Sequence, residues 1–307
     1  MSTEPAGFEQ LRDEILRWKE RRNAVILAHV YQPPEIQELA DYVGDSLGLS
    51  QQAAGTDADV IVFCGVHFMA ETAAILSPEK VVLLPEPAAG CPMADMVTVS
   101  ALRDKRREMP GAVVVCYVNS SAEVKAESDI CCTSANAVRI VESLGDVEIL
   151  FVPDRNLAHY VSRFTRGRVV PWDGYCPTHD RLTPEELRRT MAEYPRAEVL
   201  VHPECRPEVI EMADFVGSTS AILRRARQSK AREFIVGTEE GILYQLYKQN
   251  PGKQFYLASP AMVCPNMKRI SLEKVLRSLR DLTPQIRVPE EVRQRALRAL
   301  EAMLERS

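Results

Sequence analysis

Three copies of one segment of about 85 residues occur in the sequence, and this repeat restricts the fold more than any other feature. Only three of the eight cysteines precede a proline, and they lie 85 and 88 residues apart: Cys91, Cys176 and Cys264. Aspartates in the similar motifs ADYVGDS, SDICCTS and ADFVGST repeat at 88 and 85 residues: Asp41, Asp129 and Asp214. From each aspartate to the next Cys-Pro cysteine there are 50, 47 and 50 residues. We therefore predict three equivalent folding units.

Each repeat has the same predicted order of strands and helices. A short apolar strand ends twelve residues before each aspartate, in VILAH, VVVCY and VLVH. The full order is strand, helix, short strand, helix, strand, helix and a last strand that runs into Cys-Pro. Short apolar strands that alternate with helices are typical of a parallel sheet covered by helices on both faces. We predict an α/β fold of three pseudo-threefold-related α/β/α units, at 23–108, 109–194 and 195–284, with flanking helices at 1–22 and 285–307.

Composition and hydropathy exclude several kinds of function. The chain of 307 residues has a net charge of −5 and scattered basic residues, which argues against a nucleic-acid partner. It has no apolar stretch of 18 residues, and its polar N-terminus lacks the apolar core of a secretory signal. We therefore expect a cytoplasmic protein with no membrane partner, whose thiols stay reduced.

Polar residues follow the first strand of each repeat at equivalent positions. Ligands of open parallel sheets bind beyond the carboxyl ends of the strands. If each exit stays extended, its first and third residues point to the same side, so three pairs could surround one centre. These pairs are His29 with Tyr31, Tyr117 with Asn119, and His202 with Glu204.

A second set of polar pairs follows the second strand of each repeat: Asp45-Ser46, Thr133-Ser134 and Ser218-Thr219. Each pair precedes a helical stretch, so its simplest role is to cap the helix N-terminus. Hydroxyl groups and unpaired backbone N–H groups at such a position also bind anions. Because three pairs lie in register beside the first set, we favour an anion pocket.

The Cys-Pro dipeptides after the last strands are candidate metal ligands. Proline suits the first turn of a helix, where unpaired N–H groups favour the thiolate that soft metals and iron–sulfur clusters bind. The chain has no C-x-x-C pair of the kind that often closes a structural zinc site. A [4Fe–4S] cluster held by three cysteines would leave one iron open as a Lewis acid. A three-thiolate zinc site with a water, or three buried thiols, are the alternatives.

The motifs together resemble the quinolinate synthase family over roughly residues 22–285. They are AHVYQ at 28–32, GDS at 44–46, YVNSSAEVKAESDICCTSANA at 117–137, HPEC at 202–205, GSTS at 217–220 and the three Cys-Pro sites. The resemblance implies an enzyme of de novo NAD biosynthesis that condenses iminoaspartate with dihydroxyacetone phosphate to quinolinate, phosphate and water. It implies three domains around a central [4Fe–4S] cluster held by Cys91, Cys176 and Cys264. The open iron would bind substrate oxygen and assist dehydration.

The resemblance also implies roles for individual residues. Tyr31, Glu204 and His29 would be catalytic, and an enclosed site would raise the pKa of Glu204 to suit proton transfer. L-aspartate oxidase or aspartate dehydrogenase would supply iminoaspartate. The alternatives are another [4Fe–4S] hydro-lyase, a non-catalytic iron–sulfur sensor and a zinc-dependent hydrolase. The implied substrate-binding residues are His29, Ser46, Tyr117, Asn119, Ser134, His179, His202, Glu204, Ser218 and Thr219.

Overall fold

The computed structural model describes residues 6–307 and contains every strand that the repeats predict. The strands form three four-stranded parallel sheets. Across each sheet, the strand that comes second in the chain lies at one edge, followed by the first, the third and the fourth. The predicted α/β fold with three small parallel sheets is confirmed. The first sheet contains β1 (Ala24–His29), β2 (Tyr42–Gly44), β3 (Val60–Cys64) and β4 (Val81–Leu83). The second contains β5 (Val113–Tyr117), β6 (Ile130–Cys132), β7 (Ile149–Val152) and β8 (Val169–Pro171). The third contains β9 (Glu198–Val201), β10 (Phe215–Val216), β11 (Glu233–Gly237) and β12 (Gln254–Leu257).

Helices connect the strands in the predicted order, and two more are present where flanking helices are expected. None of the helices in 6–307 combines the length and apolar character that crossing a membrane requires. Residues 1–5 of the predicted first helix lie outside the described part of the chain. In chain order the helices are α1 (Ala6–Arg21), α2 (Pro34–Leu39), α3 (Ser46–Gly55), α4 (His67–Leu76), α5 (Val99–Glu108), α6 (Ala122–Ala126), α7 (Ala137–Leu144), α8 (Arg155–Ser162), α9 (Pro177–Asp180), α10 (Pro184–Glu193), α11 (Pro207–Ile210), α12 (Thr219–Gln228), α13 (Ile242–Gln249), α14 (Leu272–Asp281) and α15 (Glu290–Glu305).

Three helices were absent from the predicted order, and they are equivalent to one another. Helices α5, α10 and α14 each begin eight residues after a Cys-Pro cysteine. A threonine or serine precedes each of them, at Thr98, Thr183 and Ser271. The repeat therefore includes one more helix than its strands and Cys-Pro site reveal.

The repeated aspartates join the first two strands of each sheet. Each carboxylate accepts a hydrogen bond, of 2.8, 2.7 and 2.8 Å respectively, from the backbone N–H of a first-strand residue fifteen positions earlier. The backbone N–H of each aspartate donates to the carbonyl of that same residue. The aspartate side chain supplies an acceptor at this place, which an apolar side chain could not do. The pairs are Asp41 with Ile26, Asp129 with Val114, and Asp214 with Val199.

The chain divides into two compact units. The smaller unit runs to Cys91 and includes Pro265–Pro289, so it contains the first sheet, and α14 packs on α1 within it. The larger unit consists of Pro92–Cys264 and Glu290–Ser307 and contains the second and third sheets; α15 packs on α6 and β6. The predicted domain boundaries at 23–108, 109–194 and 195–284 stay a prediction.

Candidate active site

The first strands of the first and third sheets end in tight turns, so the extended exits expected from the sequence are wrong. The carbonyls of His29 and His202 each accept the N–H of the residue three positions later, at 2.9 and 3.0 Å. Each imidazole Nδ1 accepts a second N–H, from Tyr31 at 3.2 Å and from Glu204 at 3.3 Å. The predicted pairs are therefore held together by a turn and a side-chain hydrogen bond.

In the larger unit, the buried histidine His179 lies between two predicted site residues and a threonine that was not predicted. Helix α9 begins directly after Cys176 and places His179 one turn later, with 1% of its surface exposed. His179 Nδ1 is 2.6 Å from Glu204 Oε2 and 3.2 Å from Cys176 Sγ. On the other side of the ring, Nε2 is 2.8 Å from Thr238 Oγ1. The imidazole is thus held at both nitrogens.

A second histidine extends this group toward the second sheet. The His202 ring stacks on His179 with centroids 4.6 Å apart and planes inclined by 27°. Its Nε2 lies 3.2 Å from Ser134 Oγ, which follows β6. Tyr117, at the end of β5, is buried near Glu204 and Ser134, and both of these residues affect the pKa of its phenol. The structure therefore brings six of the predicted residues into one largely buried group: Tyr117, Ser134, Cys176, His179, His202 and Glu204.

Burial and the neighbouring histidines have opposite effects on the pKa of Glu204, and their net effect differs from the raised pKa expected from the sequence. Burial raises the pKa of Glu204, but the His179 and His202 rings and the hydrogen bond from His179 outweigh it and lower the pKa to about 2. The expected raised pKa of this glutamate is therefore wrong, because neighbouring charge dominates desolvation. Burial first, and then the Glu204 charge, hold the pKa of Tyr117 well above its ordinary value, so the phenol keeps its proton.

Unpartnered polar atoms mark the carboxyl edges of the sheets. Buried polar groups normally have hydrogen-bond partners, so each exception calls for a ligand or water. Within residues 6–307, six buried side-chain atoms lack a partner, and all six lie one to three residues after a strand. Three of the six belong to predicted substrate-binding residues. The atoms are Gln32 Oε1, Asp45 Oδ2, Asn119 Oδ1, Asp154 Oδ2, Glu204 Oε1 and Thr219 Oγ1.

Two of the three pairs after the second strands cap a helix, which is the simpler of the two roles considered from the sequence. Asp45 and Ser218 are N-caps, because their side chains accept the N–H of Gly48 and Ala221 at 3.0 and 3.3 Å. The buried Thr219 hydroxyl that follows Ser218 has no partner. In these pairs the first residue caps the helix. A role for Ser218 in binding substrate stays a prediction.

The smaller unit contains four of the predicted residues: His29, Tyr31, Ser46 and Cys91. The rings of His29 and Tyr31 meet edge to face, with centroids 4.5 Å apart at 74°. Lys268 Nζ donates to the Tyr31 carbonyl at 2.7 Å, which fixes the turn after β1. Ser46 is the first residue of α3, directly after its Asp45 cap. These contacts give Tyr31 a defined position in this unit.

The eight cysteines fall into two classes by exposure. The three that precede proline, Cys91, Cys176 and Cys264, are partly exposed. The other five are fully buried in or beside strands: Cys64, Cys116, Cys131, Cys132 and Cys205. Burial raises the pKa of the Cys64 thiol to about 12, so this group is inert. The Cys-Pro thiols are therefore the accessible thiols, and their role as metal ligands stays a prediction.

Two carboxylates that follow third strands were not identified by the sequence analysis. Asp154 and Glu239 each lie two residues beyond a third strand and are fully buried. Glu239 Oε1 accepts the N–H of Cys264 at 3.0 Å, and Asp154 Oδ1 accepts the N–H of Leu157 at 2.8 Å. The position in the first repeat is Val66, whose side chain cannot accept a hydrogen bond. Glu239 thus holds the backbone of Cys264.

The same loops are tied by a backbone bond that occurs in all three repeats. In each repeat, the donor is the backbone N–H of the third residue after the third strand. The acceptor is the backbone carbonyl of the residue two positions before the Cys-Pro cysteine, and the three distances are 2.8, 2.8 and 3.0 Å. This equivalence shows that the third-strand exit and the Cys-Pro turn form one structural element. The pairs are His67 with Ala89, Arg155 with Gly174, and Glu240 with Met262.

Comparison with known proteins gives matches along nearly the whole chain. The family described as "NadA: Quinolinate synthetase A protein" matches residues 13–305. A protein of Geotalea uraniireducens named quinolinate synthase is 58% identical over 296 residues, covering 96% of this chain and 97% of its own length. One from Desulforudis audaxviator is 58% identical over 297 residues, covering 96% and 98%. One from Methanosarcina barkeri is 54% identical over 295 residues, covering 96% and 97%.

Proposed function

The chain belongs to the quinolinate synthetase A family, and from this premise we propose that it condenses iminoaspartate with dihydroxyacetone phosphate to quinolinate, phosphate and water. The observation that carries the proposal is the buried group in the larger unit, where His179 Nδ1 lies 2.6 Å from Glu204 Oε2. Family membership makes the protein an enzyme of NAD biosynthesis. The assignments of substrates, cofactor and residue roles below are part of the proposal.

We assign an iron–sulfur cluster, [4Fe–4S] with one open iron, to Cys91, Cys176 and Cys264. The donor set suits such a cluster because these are the three partly exposed thiols, whereas the other five cysteines are buried. When bound, the cluster supplies a Lewis acid that polarises a substrate oxygen and favours loss of water. Glu239, with its hydrogen bond to the Cys264 N–H, supports this assignment by fixing one ligand turn.

Proton transfer falls to the buried histidine–carboxylate pair and to tyrosine. His179 Nδ1 and Glu204 Oε2 are 2.6 Å apart, within hydrogen-bond distance, so the pair can act as an acid by releasing one proton or as a base by accepting one. Tyr117, whose pKa is raised, acts as a neutral hydrogen-bond donor. In the smaller unit, Tyr31 and His29 are the further acid–base candidates. These groups would serve enolisation, imine formation and dehydration.

Substrate binding rests on neutral donors and acceptors at the strand exits. The Asn119 Oδ1 atom is buried and unpartnered, so it suits an N–H or O–H group of the substrate. The Thr219 hydroxyl lies at the start of α12, where helix N–H groups favour a carboxylate or phosphate. Ser46, Ser134, His202 and Ser218 complete the proposed set. The substrates would be recognised largely without ion pairs.

The proposed setting of the reaction follows from the thiols and the substrates. Eight cysteines, none of them in a disulfide bond, suit the reducing cytoplasm. Iminoaspartate would come from L-aspartate oxidase or aspartate dehydrogenase, the two kinds of upstream enzyme that oxidise aspartate to this product.

Metal and product analysis test the proposal. Protein purified without oxygen should contain about four irons and four sulfides per chain, and Cys176→Ser should lose them. Cys64→Ala, which changes a buried thiol, is the matched control and should keep them. Mass spectrometry should then detect quinolinate from the two substrates. Iron without quinolinate would indicate another hydro-lyase, and zinc or no metal would overturn the cluster assignment.

A further inference from the structure

We propose that the chain without its cluster binds one zinc ion through Cys176, His179 and Glu204. One ligand atom from each of these residues lies within 4.8 Å of the other two. His179 Nδ1 is 3.2 Å from Cys176 Sγ and 2.6 Å from Glu204 Oε2. All three residues belong to the larger unit, so the site needs neither Cys91 nor any other part of the smaller unit.

The donor types and spacings suit zinc. Zn²⁺ binds thiolate, imidazole and carboxylate, and tetrahedral ligands at normal bond lengths are about 3.3–3.6 Å apart. The sulfur–nitrogen separation of 3.2 Å is already close to this, and the carboxylate must retreat by less than about 1 Å. Glu204 Oε1 is buried and unpartnered, so it or a water can provide a fourth ligand. Three protein ligands with one open position are typical of zinc sites that also bind a water.

The surrounding contacts orient the imidazole for metal binding. His179 Nε2 is 2.8 Å from Thr238 Oγ1, and an oxygen that accepts the Nε2 proton leaves the Nδ1 lone pair for the metal. Both ring nitrogens of His202 have hydrogen-bond partners, the Glu204 N–H at Nδ1 and the Ser134 hydroxyl at Nε2, so we do not include His202 among the zinc ligands. Zinc would replace the proton between His179 Nδ1 and Glu204 Oε2 and the proton of the Cys176 thiol. Binding should therefore release protons.

This site shares Cys176 with the proposed cluster, so the two metals exclude each other. Zinc bound before cluster assembly would withhold one cluster ligand and two proton-transfer residues. The competition rests on the proposed function, whereas the zinc site itself depends only on the three side chains. A chain that never carries a cluster would still bind zinc here.

Cobalt titration tests the site, because tetrahedral Co²⁺ absorbs visibly and a thiolate ligand adds a charge-transfer band. The sample is the full-length chain, reduced, free of cluster and kept without oxygen. We expect one equivalent of Co²⁺ to bind, to be displaced by one equivalent of Zn²⁺, and to release protons. Cys176→Ser should lose the charge-transfer band, and His179→Gln and Glu204→Gln should each weaken binding at least tenfold.

Two further variants separate this site from a three-cysteine site. Cys91→Ser and Cys264→Ser should bind Co²⁺ as the unchanged chain does. If either variant loses the charge-transfer band while Glu204→Gln binds normally, the metal lies on the Cys-Pro thiols and the proposal is wrong. Absence of binding would also overturn it. Measuring iron in separately reconstituted wild-type protein keeps failure of the cluster assignment distinct from failure of the zinc site.

Discussion

His179 Nδ1 lies 2.6 Å from Glu204 Oε2, and the opposite ring nitrogen lies 2.8 Å from Thr238 Oγ1. The threonine hydroxyl therefore selects which nitrogen faces the carboxylate. Since the pair can release or accept one proton, the orientation of the ring decides whether that proton can reach a ligand. Thr238 is fully buried and comes directly after β11.

Removing the Thr238 hydroxyl should slow catalysis without affecting the metal. Thr238→Val keeps the shape of the side chain but leaves His179 Nε2 unpartnered, and loss of such an outer contact typically costs about 10- to 100-fold in activity. We expect kcat for quinolinate formation to fall within that range, with unchanged iron content. Thr72→Val is the control, since this buried hydroxyl bonds only within its own helix. Equal losses in the two variants would show a general effect on stability.

Thr219 should show opposite effects on binding and on stability. Its buried hydroxyl has no partner, and an unsatisfied buried group costs about 1–3 kcal/mol that an apolar group of the same shape avoids. Thr219→Val should therefore raise or preserve the thermal midpoint while it raises KM about tenfold, the usual loss for about 1.4 kcal/mol. Thermal unfolding and initial-rate kinetics on one preparation measure both. A lower midpoint with unchanged KM would make this hydroxyl a structural group.

The internal repeat made most of the fold predictable. The twelve strands and their order along the chain follow from the spacing of the aspartates and Cys-Pro sites. Because the same spacing occurs in three repeats, each predicted strand is supported by three segments of the sequence. The turns after β1 and β9 could not be predicted in this way. They depend on an imidazole that accepts the N–H of Tyr31 or Glu204, and alternation of side chains along an extended strand gives no sign of it.

The residues that support the site were harder to find than the residues in it. Thr238 and Glu239 follow the third strand, and the first repeat has apolar Val66 where the others have Asp154 and Glu239. Aligning the repeats and selecting only positions that are polar in all three therefore misses the position of Asp154 and Glu239. The pKa of Glu204 was mispredicted for a related reason: burial can be anticipated from sequence, but the two histidines beside the carboxylate depend on the fold.

Glu239 should control how well the third cysteine is held. Its two oxygens accept the N–H groups of Cys264, at 3.0 Å, and of Gly241, at 2.7 Å. In Glu239→Gln the amide NH₂ faces one of these donors, so one hydrogen bond is replaced by repulsion. We expect at least twofold less iron per chain after reconstitution and faster alkylation of Cys264 in the cluster-free chain. Glu240→Gln, one residue later, is the control.

The pH dependence of stability should reveal the Glu204 charge. The folded-state pKa is lowered from 4.5 to about 2, so folding favours the carboxylate. Its contribution, about 3 kcal/mol, is fully present above about pH 4.5 and is lost as the pH falls toward 2. In Glu204→Gln this contribution is absent. The difference in unfolding free energy between wild type and variant should therefore shrink by about 2 kcal/mol between pH 7 and pH 3.

Urea denaturation at the two pH values measures this difference, with Glu35→Gln as the control because Glu35 is an exposed carboxylate. The control should track wild type at both pH values. A Glu204→Gln deficit that stays constant from pH 7 to pH 3 would contradict the lowered pKa, since a lost packing contact does not depend on protonation. A deficit that grows toward low pH would mean that folding raises the pKa, as burial alone would do. The direction of the change thus decides whether the two histidines or desolvation controls this carboxylate.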